Sequence, residues 1–163
     1  MLTADVADVL TPPNDGLLVI IAVGNPLRGD DGVGPYISSK IKAQNTNEAQ
    51  NYNTKIINAE ERPENIIDEV VALNPSRVII IDSANFGGIP GEARIISEDE
   101  ISDVVLSTHM FPLRAISKII EEDTGAKVCF LGIQQKTIEI GSKMSNEVVK
   151  IADEIIDIIN GEK

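Results

Sequence analysis

The stretch Leu17-Leu18-Val19-Ile20-Ile21-Ala22-Val23, followed directly by Gly24-Asn25-Pro26-Leu27-Arg28-Gly29-Asp30-Asp31-Gly32-Val33-Gly34, decides the fold. A continuously apolar run rich in β-branched residues predicts a strand buried on both faces, the kind found inside parallel sheets. The glycine-rich loop then leads into a helix predicted over 33–43, with Val33, Ile37 and Ile41 spaced to share one face. The same alternation continues along the chain. A polar loop at 44–53 separates this helix from a short strand, Lys55 to Ala59, and Pro63 opens a helix that runs to about Leu73. Arg77 to Asp82 is the second strongly buried strand, and Gly91 to Ile96 is a further strand candidate. Pro112 to Glu122 reads as a helix and Lys127 to Ile133 as a buried strand. Ser145 to Asn160 is a broad amphipathic helix with an N-cap serine at its start and Gly161 after its end. Strands alternating with helices predict right-handed crossovers and a mostly parallel sheet with helices on both faces. Residues 1–15 read as a flexible N-terminal leader, because Pro12-Pro13-Asn14-Asp15-Gly16 is turn chemistry; residues 16–163 read as a single α/β domain.

Composition narrows the function. The chain has 163 residues and a formal net charge of −12, which repels phosphate backbones and anionic lipid, so neither a nucleic acid nor a membrane surface is an expected partner. Tryptophan is absent and 26 residues are isoleucine, so aliphatic packing supplies the core and stacking platforms for bases are not expected. A single cysteine excludes an internal disulfide, and Cys129 between Val128 and Phe130 reads as a small core residue. Met1 to Asp15 has no basic start and no apolar run of signal-peptide type, so the expected location is the cytoplasm.

In a sheet of this type ligands sit beyond the carboxyl ends of the strands, and three groups of residues fall there. The loop Gly24 to Gly34 has half the spacing of a P-loop, but Asp30 and Asp31 stand where lysine and serine or threonine would hold phosphate and magnesium. Two carboxylates repel a polyphosphate, so the loop reads as a cation or metal site, against the plainer alternative of a helix cap. We assign the cap to one aspartate and the ligand role to the other. Asp82 emerges at the end of its strand and reads equally as a functional carboxylate or a solvated strand terminus. His109 is the only histidine, in Ser107-Thr108-His109 just before Pro112. Two carboxylates and one imidazole leave coordination positions open, as a substrate-borne or reactive metal requires. Ser107, His109 and Asp82 supply the residue types of a hydrolytic triad, but no nucleophile elbow surrounds Ser107. Arg28 is placed to bind a carboxylate or to neutralise the adjacent aspartates, and Lys136 reads as exposed.

Taken in order, Val23-Gly24-Asn25-Pro26-Leu27, Asp30-Asp31-Gly32-Val33-Gly34, Asp82-Ser83-Ala84, Ser107-Thr108-His109 and Leu131-Gly132-Ile133-Gln134 resemble the maturation endopeptidases of nickel-iron hydrogenases. The resemblance extends from about Leu17 to Ile159. It implies a three-layer sandwich built on a five-stranded twisted sheet, and a protease that removes a C-terminal extension from the hydrogenase large-subunit precursor after nickel insertion. It further implies that Asp31, Asp82 and His109 contact the nickel, which the precursor carries, and take part in catalysis; the family position matching Asp31 accepts Asp or Glu. The chain departs from the family at Gln135, where proline is frequent, and in residues 1–15, which precede the family's usual start. Two competing readings stay open here. One is a receiver-like phosphorylation switch, which also uses paired acids, a strand-end Asp and a Lys after the last strand. The other is a non-catalytic nickel-dependent chaperone on the same scaffold.

Overall fold

The computed structural model describes residues 2–44, 53–100, 105–106 and 110–162. Six strands and five helices follow one another in it. They are α1 (Ala4–Leu10), β1 (Leu18–Val23), α2 (Val33–Gln44), β2 (Thr54–Glu60), α3 (Ile67–Leu73), β3 (Arg77–Asn85), β4 (Ala93–Ile96), β5 (Val105–Leu106), α4 (Met110–Thr124), β6 (Lys127–Gln134) and α5 (Asn146–Ile159). Short 3-10 turns at Gly29–Gly32 and Pro63–Ile66 introduce α2 and α3.

The sheet runs in the order β2-β1-β3-β6-β4, with the two-residue β5 paired to β3 off this path. β1 pairs in parallel with β2 and β3, and β3 in parallel with β6. β4 lies antiparallel against β6, and β5 antiparallel against β3. The mostly parallel sheet expected from the alternation is therefore present: β2, β1, β3 and β6 run parallel, and the antiparallel β4 completes the five-stranded path that the resemblance implied.

Side-chain alternation along these strands divides the core in two. Leu18 and Ile20 of β1, Ile79 and Ile81 of β3 and Leu131 and Ile133 of β6 pack under α1, α2 and α5. Val19, Ile21, Val78, Ile80 and Phe130 face the other way, against α3 and α4. All six residues of β1 are buried, which explains why its sequence carries no polar alternation.

One expectation is overturned. Residues 4–10 are not a loose leader but a helix, and Val6 and Leu10 are fully buried in the core beneath it. Its C-terminal end is held by Arg77 at the start of β3. Nη1 donates to the carbonyls of Asp8 and Val9, both at 3.2 Å, and of Thr11 at 2.9 Å. A cation on the last carbonyls complements the helix dipole and satisfies groups that a short helix leaves open. The Pro12-Pro13 turn ends α1 rather than detaching it. Among the described residues no helix is long and apolar enough to cross a membrane.

Candidate active site at the carboxyl edge of the sheet

The chain leaves β1 through a bulge. Pairing with β2 shifts register between Ala22 and Val23, and Gly24 donates its N–H to the Glu60 carbonyl at 2.8 Å. Bulges of this kind re-aim the chain at a sheet edge. Gly24 has φ +141°, and a Cβ there would stand 1.9 Å from the Asp31 carbonyl oxygen. Only glycine lets the loop fold back so closely on its own start. Gly34, in the first turn of α2, likewise permits a close approach, since a Cβ there would meet the Val23 carbonyl at 2.4 Å. The glycines therefore fix how near the turn carrying the two aspartates sits to the end of β1.

Asp30 and Asp31 are both fully buried, yet they have different partners. Asp30 Oδ2 accepts the backbone N–H of Lys136 at 2.7 Å and of Thr137 at 3.0 Å; its Oδ1 accepts that of Ser145 at 2.7 Å. Its own N–H donates to the Thr137 carbonyl at 2.8 Å. Both oxygens are thus spent on the segment between β6 and α5, including the residue that precedes α5. Three N–H donors compensate the burial of this carboxylate. Asp30 therefore caps, but it caps the approach to α5 more than a hundred residues away.

Asp31 is held differently. Oδ2 accepts the Asn25 N–H at 3.2 Å and Oδ1 accepts the Ser83 hydroxyl at 3.2 Å. Ser83 is itself fully buried, with the Gln135 Oε1 at 3.5 Å as a second acceptor. Because Ser83 follows Asp82 directly, Asp31 and Asp82 share one end of the sheet. Asp82 is 2% exposed and lies within β3, which runs on to Asn85 rather than stopping at Asp82 as its sequence suggests. Strand alternation puts Asp82 on the face of Ile80 and Ala84, toward α3 and α4. In register with it on β6 is Gly132.

His109, with Ser107 and Thr108, lies outside the described residues; α4 begins one position later, at Met110. Among the described residues no cluster of three metal-ligating side chains forms. The Arg28 carbonyl accepts the Asp31 N–H at 3.1 Å, but among the described contacts its side chain bonds neither aspartate, and its Nε is buried without a hydrogen-bond partner. Lys136 is exposed and donates to Glu147 Oε1 at 2.8 Å. That hydrogen bond raises the lysine above its ordinary range and lowers the glutamate. Its ammonium is thus turned to α5, while its backbone N–H serves Asp30. Cys129 is buried, and burial pushes its thiol up, in keeping with a core role.

Residue types alone did not single out Ser83, Asn25 or Gln134. Gln134 Oε1 accepts the N–H groups of Phe86 at 3.0 Å and Gly88 at 3.1 Å, shaping the loop after β3. Besides the motif Leu131-Gly132-Ile133-Gln134, its place at the carboxyl end of a buried strand is a sequence signal that draws attention to it.

The chain resembles known proteins across nearly its whole length. The sequence model of the family HycI, hydrogenase maturation protease, matches residues 35–162. The hydrogenase 3 maturation protease of Escherichia coli K12 is 33% identical over 144 residues, covering 88% of each chain. The crystal structure of the [NiFe] hydrogenase maturation protease HycI from Thermococcus kodakarensis superposes with a TM-score of 0.79 at 26% identity, covering 97% of both chains. The solution structure of the endopeptidase HycI from Escherichia coli gives 0.74 at 31% identity, over 89% of this chain and 90% of that one. This protein belongs to the hydrogenase maturation protease family and is a peptidase of hydrogenase maturation.

Proposed function

We propose that this endopeptidase removes the C-terminal extension of a nickel-loaded nickel-iron hydrogenase large-subunit precursor in the cytoplasm. Asp31, Asp82 and His109 recognise the nickel, which arrives with the precursor as part of the substrate. The observation that carries the assignment is the division of labour between neighbouring aspartates. Both oxygens of Asp30 are engaged by backbone N–H groups, whereas Asp31 is steadied by Asn25 and by the residue after Asp82. Family membership supports the peptidase chemistry and displaces the phosphorylation switch and the inactive chaperone.

Two carboxylates and an imidazole offer a mixed oxygen and nitrogen donor set suited to a borderline divalent ion, with positions left for the precursor's own ligands. Recognition of the ion fixes the scissile peptide beside it. Water oxygen adds to the carbonyl carbon, polarised by the metal, and the C–N bond breaks. The proton lost by the water reaches the departing amine, carried by a carboxylate of the pair.

The test is cleavage of nickel-loaded precursor by purified variants, read by mass spectrometry. Asp31→Asn, Asp82→Asn and His109→Ala each lower the rate by about 100-fold or more, the scale of lost acid–base or ligand function. Full activity in His109→Ala overturns the assignment.

A further inference from the structure

A cavity of about 880 Å³ opens beside the candidate site, along α2 from Pro35 to Ala43 and between it, β2 and the segment that leads into α5. Gly29 and Gly32, which flank Asp30 and Asp31, form one wall. Pro26, Pro35, Tyr36 and Met144 give it apolar surface, and its charged lining among the described residues consists of Lys40 and Lys143. Both lysines are exposed, and neither forms an ion pair among the described residues. Lys40 Nζ lies 5.5 Å from the Tyr36 ring centroid, and the nearby Asp153 carboxylate is engaged by the Tyr36 hydroxyl at 2.8 Å. In a chain of net charge −12 this is a local reversal of sign at an apolar recess. Beside it, Leu27 and Ile140 stand 71% and 82% exposed, their loops joined by the Gly141 N–H donating to the Leu27 carbonyl at 2.8 Å. Rigidly held apolar tips next to an apolar pocket are the anatomy of a peptide anchor.

We infer that this cavity takes the C-terminal end of the precursor's extension, its last side chains on the apolar lining and its terminal carboxylate between Lys40 and Lys143. The inference rests on the substrate reading above. An extension of any sequence ends in a carboxylate, so a cationic apolar recess sharing a wall with the Asp31 loop has a feature of the substrate to read whatever the side chains are.

The probe is a fluorescent peptide copying the last residues of the extension, titrated with the full-length protein. This needs neither nickel nor cleavage, so it fails independently of the substrate reading. The free-acid peptide binds, and its C-terminal amide binds about tenfold more weakly, the order expected for two partly exposed charge pairs. The double variant Lys40→Gln, Lys143→Gln binds the free acid as weakly as the wild type binds the amide, and no longer distinguishes the two peptides. Lys150→Gln, an exposed lysine of α5 outside the cavity, leaves both affinities unchanged. With nickel-loaded precursor the double variant raises KM and leaves kcat in place. Absence of peptide binding, equal binding of acid and amide, or undiminished binding by the double variant overturns the inference. Retained cleavage by His109→Ala alongside acid-selective peptide binding would sink the nickel assignment and leave the pocket standing.

Discussion

Replacing Asp30 by Asn separates a structural carboxylate from a functional one. The substitution keeps shape and volume but exchanges one acceptor oxygen for an NH2 donor. If the remaining oxygen takes the Oδ2 place, the Lys136 and Thr137 N–H bonds survive in weaker, uncharged form, and the new NH2 faces the Ser145 N–H. If the amide flips, the Ser145 bond survives and the other two are lost. A hydrogen bond to a charged group contributes about 1.5–3 kcal/mol and a neutral one about 1 kcal/mol. The cheaper orientation thus loses one strong bond and weakens two, offset by the smaller desolvation of a neutral side chain. A net cost of about 2–3 kcal/mol follows, a large share of a typical domain stability of about 5–15 kcal/mol. Urea unfolding reads it as a lower midpoint at unchanged slope. Hydrogen exchange localises it, since the amides of Lys136, Thr137 and Ser145 lose protection before those of β1 and β3. Below its own melting temperature the variant still cleaves, unlike Asp31→Asn. An unchanged midpoint with the three amides still protected would refute the clamp. Undiminished stability with abolished cleavage would make Asp30, not Asp31, the functional acid.

Three further outcomes follow from the geometry. Gly24→Ala forces a Cβ onto the Asp31 carbonyl at a positive φ, costing about 2–3 kcal/mol and moving the Asp31 turn, so thermal stability and cleavage fall together. Leu10→Ala leaves a cavity in the core under α1 and lowers stability by about 2–5 kcal/mol in chemical denaturation, whereas a detached leader would show no change. Tyr36 is raised above its ordinary 10.0, first by burial and then by its hydrogen bond to Asp153. Its contribution to stability is therefore present below about pH 10 and lost as the phenol ionises at higher pH. Asp153→Asn brings the phenolate absorbance transition of Tyr36 part of the way back down, and an unmoved transition would contradict the pairing.

The strands that build the site were legible because burial on both faces erases polar alternation. Leu17 to Val23, Arg77 to Asp82 and Lys127 to Ile133 all appear as strands in the sheet centre, and the helices 33–43 and 145–160 lie within a residue of α2 and α5. α1 was missed because four of its seven residues are Asp or Ala, and the Pro-Pro turn after it reads as the mark of a loose end. Val6 and Leu10, four apart, were its one amphipathic signal. The place of the Asp30-Asp31 turn at the carboxyl edge was legible too, since turn glycines and acids following a buried strand mark that edge. The roles of Asp30 and Asp31 were not separable. What distinguishes them is contact with Ser145 and with Ser83, partners 115 and 52 residues away that only the closed sheet brings near.

The central claim is that the enzyme reads nickel in its substrate. The most direct measurement mixes the purified protein with nickel-loaded and with nickel-free large-subunit precursor and follows the intact mass of each. Shortening of the loaded precursor alone, lost in Asp31→Asn, Asp82→Asn and His109→Ala, is the predicted result. Equal shortening of both precursors would contradict it.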